Sequence, residues 1–254
     1  MSEDRCDGCQ FSRSDRGICN VMERMDRKKL SRRSRSFSLE KGEILRDDRL
    51  NDGRSNERPV LAVCNGAAAV QTWLSDGRRS LSQLLLQADL VELRRTHHPF
   101  THHPFLGEIF ALRPTTICAL HGETLNEIRS TDRSVGRAYD AQVAEQTHIL
   151  RDHCVNIGKK TPAERLASFL LELSDRGAQP EATPDKVHLP MTHSDIADYL
   201  ALQPETVSRA FSRLVEEGLI TRPVRNATRL LDRAELLRIA GGGRPRRSVA
   251  SDGR

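Results

Sequence analysis

Along the first 35 residues branched aliphatic side chains are sparse and charged ones dense, ending in the basic run RMDRKKLSRRSR at 24–35. A segment of this texture buries little apolar surface, so residues 1–35 are expected to form a poorly ordered arm unless a ligand organises them. From Phe37 to about Leu125 the rhythm changes to short apolar or alternating runs. PVLAVCNG (59–66), AAAVQTWLSDG (67–77) and RRSLSQLLLQADL (78–90) predict strands separated by turns at Asn65-Gly66 and Asp76-Gly77, and TTICAL (115–120) predicts another. Residues 36–133 therefore read as an all-β sandwich or roll with a few short helices.

A different period follows. Between Ser134 and Ile157 there is no proline, and Val143, Thr147, Leu150, Cys154 and Ile157 recur at the 4-3-4-3 spacing of a coiled-coil seam. A helix of roughly 24 residues would run about 36 Å, long enough to join two domains and to pair with a second copy. Thr161, Pro162 and Glu164 carry the N-cap, N1 and N3 signals of a capping box, opening a helix that ends at Gly177. Residues 178–186, AQPEATPDK, read as a loop.

The most informative stretch is 189–223. THSDIADYL predicts a short amphipathic helix with Ile196, Ala197 and Leu200 inward. ALQ is a tight turn, and PETVSRAFSRLVEEG predicts a second helix with Val207, Phe211 and Leu214 inward and Gly218 closing it. Two short helices about three residues apart form a helix-turn-helix. LITRPVRNATRLLD alternates around Arg225-Asn226 as a two-stranded wing. The second helix turns Glu205, Ser208 and Arg209 outward from the half that enters a major groove. Arginine donates two hydrogen bonds to guanine, glutamate accepts from cytosine N4, and serine serves either base. Arg213, Arg222, Arg225 and Arg229 are expected to contact phosphates, so double-stranded DNA is the expected partner.

Composition supports a polyanionic partner: Lys and Arg outnumber Asp and Glu by 40 to 35, for a net charge of +5. No apolar run approaches the ~20 residues that span a bilayer, and MSEDRCDGCQ has no apolar signal segment, so a cytoplasmic protein without a membrane partner is expected. In a reducing cytoplasm the six cysteines are metal ligands or core residues rather than structural disulfides. Cys6, Cys9 and Cys19 cluster, and three thiolates leave most metal sites one ligand short. Cys64, in an apolar strand, and Cys154, on the seam, read as small buried hydrophobes. The tandem repeat THHPFTHHPF (96–105) reads as a surface loop, its prolines preventing one helix from presenting the four histidines together. No nucleophile motif, phosphate-cradling glycine loop or H-E-x-x-H pair points to an enzyme. Asp195 and Asp198 read as solvated surface.

MTHSDIADYLALQPETVSRAFSRLVEEGLI resembles the winged helix of the CRP/FNR transcription regulators, and E-T-V-S-R at 205–209 is similar to the FNR/FixK/FnrN branch, whose E-x-x-S-R reads TTGAT-type half-sites. GKKTPAERLASFLLELS (158–174) resembles the segment after that family's dimerisation helix. LEKGEIL (39–45), the DGR turn (76–78) and ADL (88–90) fall in the order of its β-roll. The resemblance covers about residues 1–240 and implies an α+β chain: a cyclic-nucleotide-binding-like β-roll (36–133), a long dimerisation helix (134–160) and a C-terminal winged helix-turn-helix (161–240). It also implies a homodimer and RNA polymerase as a partner. The tail, 241–254, is expected to be disordered and basic.

FNR-type sensors hold a [4Fe–4S] cluster on three N-terminal cysteines and one in the β-roll. TTICALHGETLNEI (115–128) resembles the segment carrying the fourth, which makes the implied set Cys6, Cys9, Cys19 and Cys118. The spacing C-x2-C-x9-C is two residues longer than the branch's pattern, a change that a flexible loop tolerates because closure entropy grows only logarithmically. Zinc on the same cysteines, or with a histidine as fourth ligand, is the alternative chemistry. GEIFAL (107–112) resembles the start of the family's phosphate-binding cassette, but Arg113 and the next strand follow at once, so a cyclic nucleotide is not expected. Ala88 stands where the family has glycine before Asp89.

Overall fold

The computed structural model describes residues 9–14, 16–50, 59–92, 108–176, 185–224 and 226–243. The chain divides into two compact units, residues 1–150 and 151–254. In the first, α1 (Gln10–Arg13), α2 (Ile18–Val21) and α3 (Arg24–Arg33) precede β1 (Arg35–Leu39), β2 (Ile44–Leu45) and α4 (Asp47–Leu50). Then come β3 (Val60–Asn65), β4 (Ala67–Trp73), β5 (Arg79–Leu86), β6 (Leu90–Val91), β7 (Glu108–Ala111), β8 (Thr115–Leu120), α5 (Gly122–Thr131) and the long α6 (Arg133–Lys159), which runs on into the second unit. Four of these strands are the predicted ones; the THHPF repeat lies outside the described residues.

The strands form two four-stranded antiparallel sheets, ordered β1-β8-β3-β6 and β2-β7-β4-β5. Leu61 and Val63 of β3 and Ile117 of β8 point into one core with Leu45, Leu85 and Ile109 of the second sheet. The alternate residues Val60, Ala62 and Cys64 face the other way, into a second core. Because both faces of β3 are covered, its sequence is a continuous apolar run rather than an alternation. Gly66 makes the β3–β4 turn with φ +98°, and a Cβ there would lie 2.5 Å from the Pro114 carbonyl oxygen, so only glycine fits. Three residues, Leu112–Pro114, join β7 to β8.

The cover over that second core corrects the expectation of a poorly ordered arm. Phe11, Ile18, Cys19, Met22 and Leu30, carried by α1 to α3, pack with α5 and the start of α6 against β3. Burying each large apolar side chain contributes about 1.5–3 kcal/mol, so a few widely spaced ones outweigh the polar average of the segment.

In the second unit α7 (Pro162–Arg176) is followed by β9 (Lys186–His188), α8 (His193–Leu200), α9 (Pro204–Glu216), β10 (Ala227–Arg229) and α10 (Arg233–Ala240). The Thr161 N–H donates to the Glu164 carboxylate at 2.8 Å, opening α7 as expected. Sequence reasoning had 178–186 only as a loop and missed β9, which pairs antiparallel with β10. No helix among the described residues is long and apolar enough to cross a membrane.

Candidate DNA-reading face and thiol cavity

The predicted reader pair is α8 and α9. Thr192 caps α8 in a complete capping box: its hydroxyl accepts from the Asp195 N–H, and the Asp195 carboxylate accepts from the Thr192 N–H. Asp195 is therefore a buried cap and not the solvated side chain expected. Ala201 ends α8 in the left-handed region at φ 51°, and Arg165 of α7 donates to the Leu200 carbonyl at 2.8 Å, satisfying a helix-terminal oxygen. Pro204 then starts α9 at its first turn.

Along α9, Val207, Ala210, Phe211 and Leu214 are buried, while Glu205, Ser208 and Arg209 are exposed on the opposite side. Among the described residues Arg209 makes only a long 3.5 Å contact with the Thr206 hydroxyl, which leaves its guanidinium exposed. Arg213 pairs with Glu217 at 2.8 Å. The wing closes through the bridges Ile220↔Leu230 and Val224↔Ala227, with Asn226 at φ 58° in the turn. Arg222 and Arg229 are exposed on it; Arg225 lies outside the described residues.

Cys9, Cys19, Cys64 and Cys118 lie in the first unit. A cavity of about 340 Å³ is lined by Cys9, Cys19, Cys64 and Cys118. Cys9 precedes α1, Cys19 lies in α2, and Cys118 lies in β8, opposite Ser36 on one side and Ala62 on the other. Cys64, buried in β3, lines the same cavity and its thiol donates to the Ala62 carbonyl at 3.8 Å. The Cys64 thiol, then burial, raises the Cys9 pKa far above the ordinary thiol value. The Cys118 thiol, with burial adding, pushes Cys64 up to about 12 despite an opposing effect of Cys9.

Three of the four cysteines of the implied set thus reach one cavity, and Cys6, three residues before Cys9, lies outside the described residues. Among the described residues no three His, Cys, Asp or Glu side chains converge closely enough to hold a single metal ion. Cys64 is buried as expected, and Cys154 is exposed in the single chain.

Sequence reasoning missed how the segment between Cys9 and Cys19 is fastened. Arg16 pairs with Glu145 of α6 at 2.9 Å and with Asp89 at 3.4 Å. Gln142 of α6 donates to the Arg16 carbonyl and, at 2.7 Å, to that of Ala88. Gln146, one turn on, donates to Asp89 at 2.9 Å. This buried face of α6, with Val135 and Tyr139, is distinct from the predicted seam, whose Val143, Thr147, Leu150 and Cys154 are exposed and Ile157 half-buried.

A β-rich unit, a long helix and a winged helix-turn-helix on an α+β chain define a DNA-binding regulator. Residues 164–239 match the Crp-like helix-turn-helix domain. The chain is 30% identical over 212 residues to the transcriptional activator protein FnrA of Stutzerimonas stutzeri, covering 82% of this chain and 81% of that protein. It is 29% identical over 194 residues to the transcriptional activator protein FnrL of Cereibacter sphaeroides, covering 73% and 76%. The structure of FixK2 from Bradyrhizobium japonicum superposes with a TM-score of 0.63 at 29% identity, covering 81% of this chain and 96% of that one. The chain belongs to the CRP/FNR family of transcription regulators, in its FNR/FixK branch, and is not an enzyme.

Proposed function

We propose that this protein is an oxygen-responsive transcription regulator of anaerobic or microaerobic genes, with its sensor at the thiol cavity. Cys6, Cys9, Cys19 and Cys118 hold a [4Fe–4S] cluster. Each iron of such a cluster takes one thiolate, so its ligands stand apart around a cavity instead of converging on one point, which suits this donor set better than zinc does. Bound there, the cluster supplies a redox centre that oxygen destroys.

The observation that carries the proposal is the fastening of the Cys9–Cys19 segment to α6. Arg16 and its carbonyl are bonded to Glu145 and Gln142, and thiols engaged by a cluster would hold the segment in that place. Release of the thiols loosens the segment and, with it, one face of α6. Residues 134–160 pair two copies along Val143, Thr147, Leu150, Cys154 and Ile157, and residues 161–240 read DNA. Two recognition helices then meet half-sites about one helical turn apart. Glu205, Ser208 and Arg209 read TTGAT-type inverted repeats, Arg213, Arg222, Arg225 and Arg229 hold phosphates, and RNA polymerase is the downstream partner.

The test is anaerobic purification with iron and acid-labile sulfide counted per chain and the visible spectrum taken before and after air. About four of each, with a brown absorbance that air bleaches, is expected. A colourless protein after reconstitution, or one zinc per chain, overturns the oxygen-sensing reading.

A further inference from the structure

Cys64 takes no part in the four-cysteine set above, yet it lines the same cavity. In β3, Val63 pairs with Ile117 and Asn65 with Thr116, so Cys64 is the extra residue of a β-bulge. Bulges re-aim a side chain relative to the regular pleat. Here the side chain so placed lines one cavity with Cys9, Cys19 and Cys118. Ala62, two residues earlier, fills the same core with a methyl group. Apolar filling alone therefore does not call for sulfur at this depth, and sulfur adds a thiol to the cavity that Cys9, Cys19 and Cys118 line.

With Cys9, Cys19 and Cys118, Cys64 gives this cavity four thiols without Cys6. We infer that Cys64 is an alternative thiolate donor for the cluster, able to take the place of Cys6 on one iron. The inference rests on the cluster reading above. Iron binding would displace the thiol protons and give each of these sulfurs a bond to its own iron.

The test is anaerobic reconstitution of the full chain with ferrous iron and sulfide, comparing the natural protein, Cys6→Ser, and Cys6→Ser combined with Cys64→Ala or with Cys64→Ser. Iron and sulfide are counted, and far-UV circular dichroism is recorded for each; two replacements of Cys64 guard against a packing defect in either. Cys6→Ser is expected to keep about four irons per chain and both double variants to fall below about one, with unchanged dichroism. Loss of the cluster from Cys6→Ser alone overturns the inference and leaves the original ligand set standing. Retention by a double variant overturns it as well. A natural protein that takes up no iron overturns the cluster reading and this inference together.

Discussion

The guanidinium of Arg16 stands 2.9 Å from the carboxylate of Glu145, which ties the segment between two arm cysteines directly to the long helix α6. The same group reaches Asp89, whose carboxylate is fully buried and also accepts from the Leu86 N–H at 2.7 Å. Arm, β-roll and helix therefore meet at one polar junction.

Arg16→Glu puts like charges at that junction. The Arg16–Glu145 pair is partly exposed, so its own contribution is below about 1 kcal/mol. The expected loss is about 1 kcal/mol in urea denaturation, with Glu145→Arg restoring part of it, a coupling of about 0.5–1 kcal/mol in the four-member cycle. In the proposed mechanism Arg16→Glu weakens DNA binding while the iron count stays unchanged. Strict additivity of the two substitutions would show that the pair carries no coupling.

His153, near the end of α6, stacks on Tyr199 of α8 with ring centroids 4.2 Å apart, and the Tyr199 hydroxyl donates to Glu172. Burial lowers the His153 pKa from 6.5 to about 4. Between those values the unfolded chain binds a proton that the folded chain refuses. Stability therefore rises with pH through this window and is level, for this group, above about 6.5. The full effect is at most about 3 kcal/mol. His153→Phe keeps an aromatic partner for Tyr199 and is expected to flatten this part of the slope in urea denaturation at about pH 5 and 7. An unchanged slope would place the His153 titration elsewhere.

On the reading face, Arg209→Ala is expected to cost about 1–3 kcal/mol on the specific duplex and to relax preference at one base pair. Arg222→Ala is expected to weaken all duplexes alike and to reduce the salt slope by about one. Fluorescence anisotropy across a salt series separates them. Exchanged outcomes would mean that wing and helix have been given each other's roles.

Leu150 and Val143 are exposed apolar side chains on one stripe of α6, 36% and 44% accessible. Leu150→Asp buries a charge wherever two copies pair there, and is expected to shift sedimentation toward monomer and lower duplex affinity at least tenfold. A Leu150→Asp dimer of unchanged stability would exclude this stripe as the seam.

The reader helices were legible residue by residue because capping, period and turn signals agree there: Thr192, Pro204 and Gly218 punctuate a strongly one-sided pattern. The strands β3 to β5 were legible for the same reason. The arm was not, because Phe11, Ile18, Met22 and Leu30 are spaced too widely to set a period and acquire meaning only against β3. Nor was the role of Cys64, since a buried thiol and a thiol among thiols look alike until β8 is laid beside β3 at a defined register. Ala88 at φ 73° and Ala201 at φ 51° hold left-handed positions that favour glycine, the second in the ALQ turn that the sequence predicts.

The central claim is that occupancy of the thiol cavity governs sequence-specific DNA reading. Its most direct test is the affinity of the anaerobically reconstituted full chain for a TTGAT-N4-ATCAA duplex, for the same duplex with two bases changed in each half-site, and for both after air. Anaerobic binding that prefers the intact site by several kcal/mol, with that preference lost in air, is the predicted result. Equal affinity for the two duplexes, or an affinity that air leaves untouched, contradicts it.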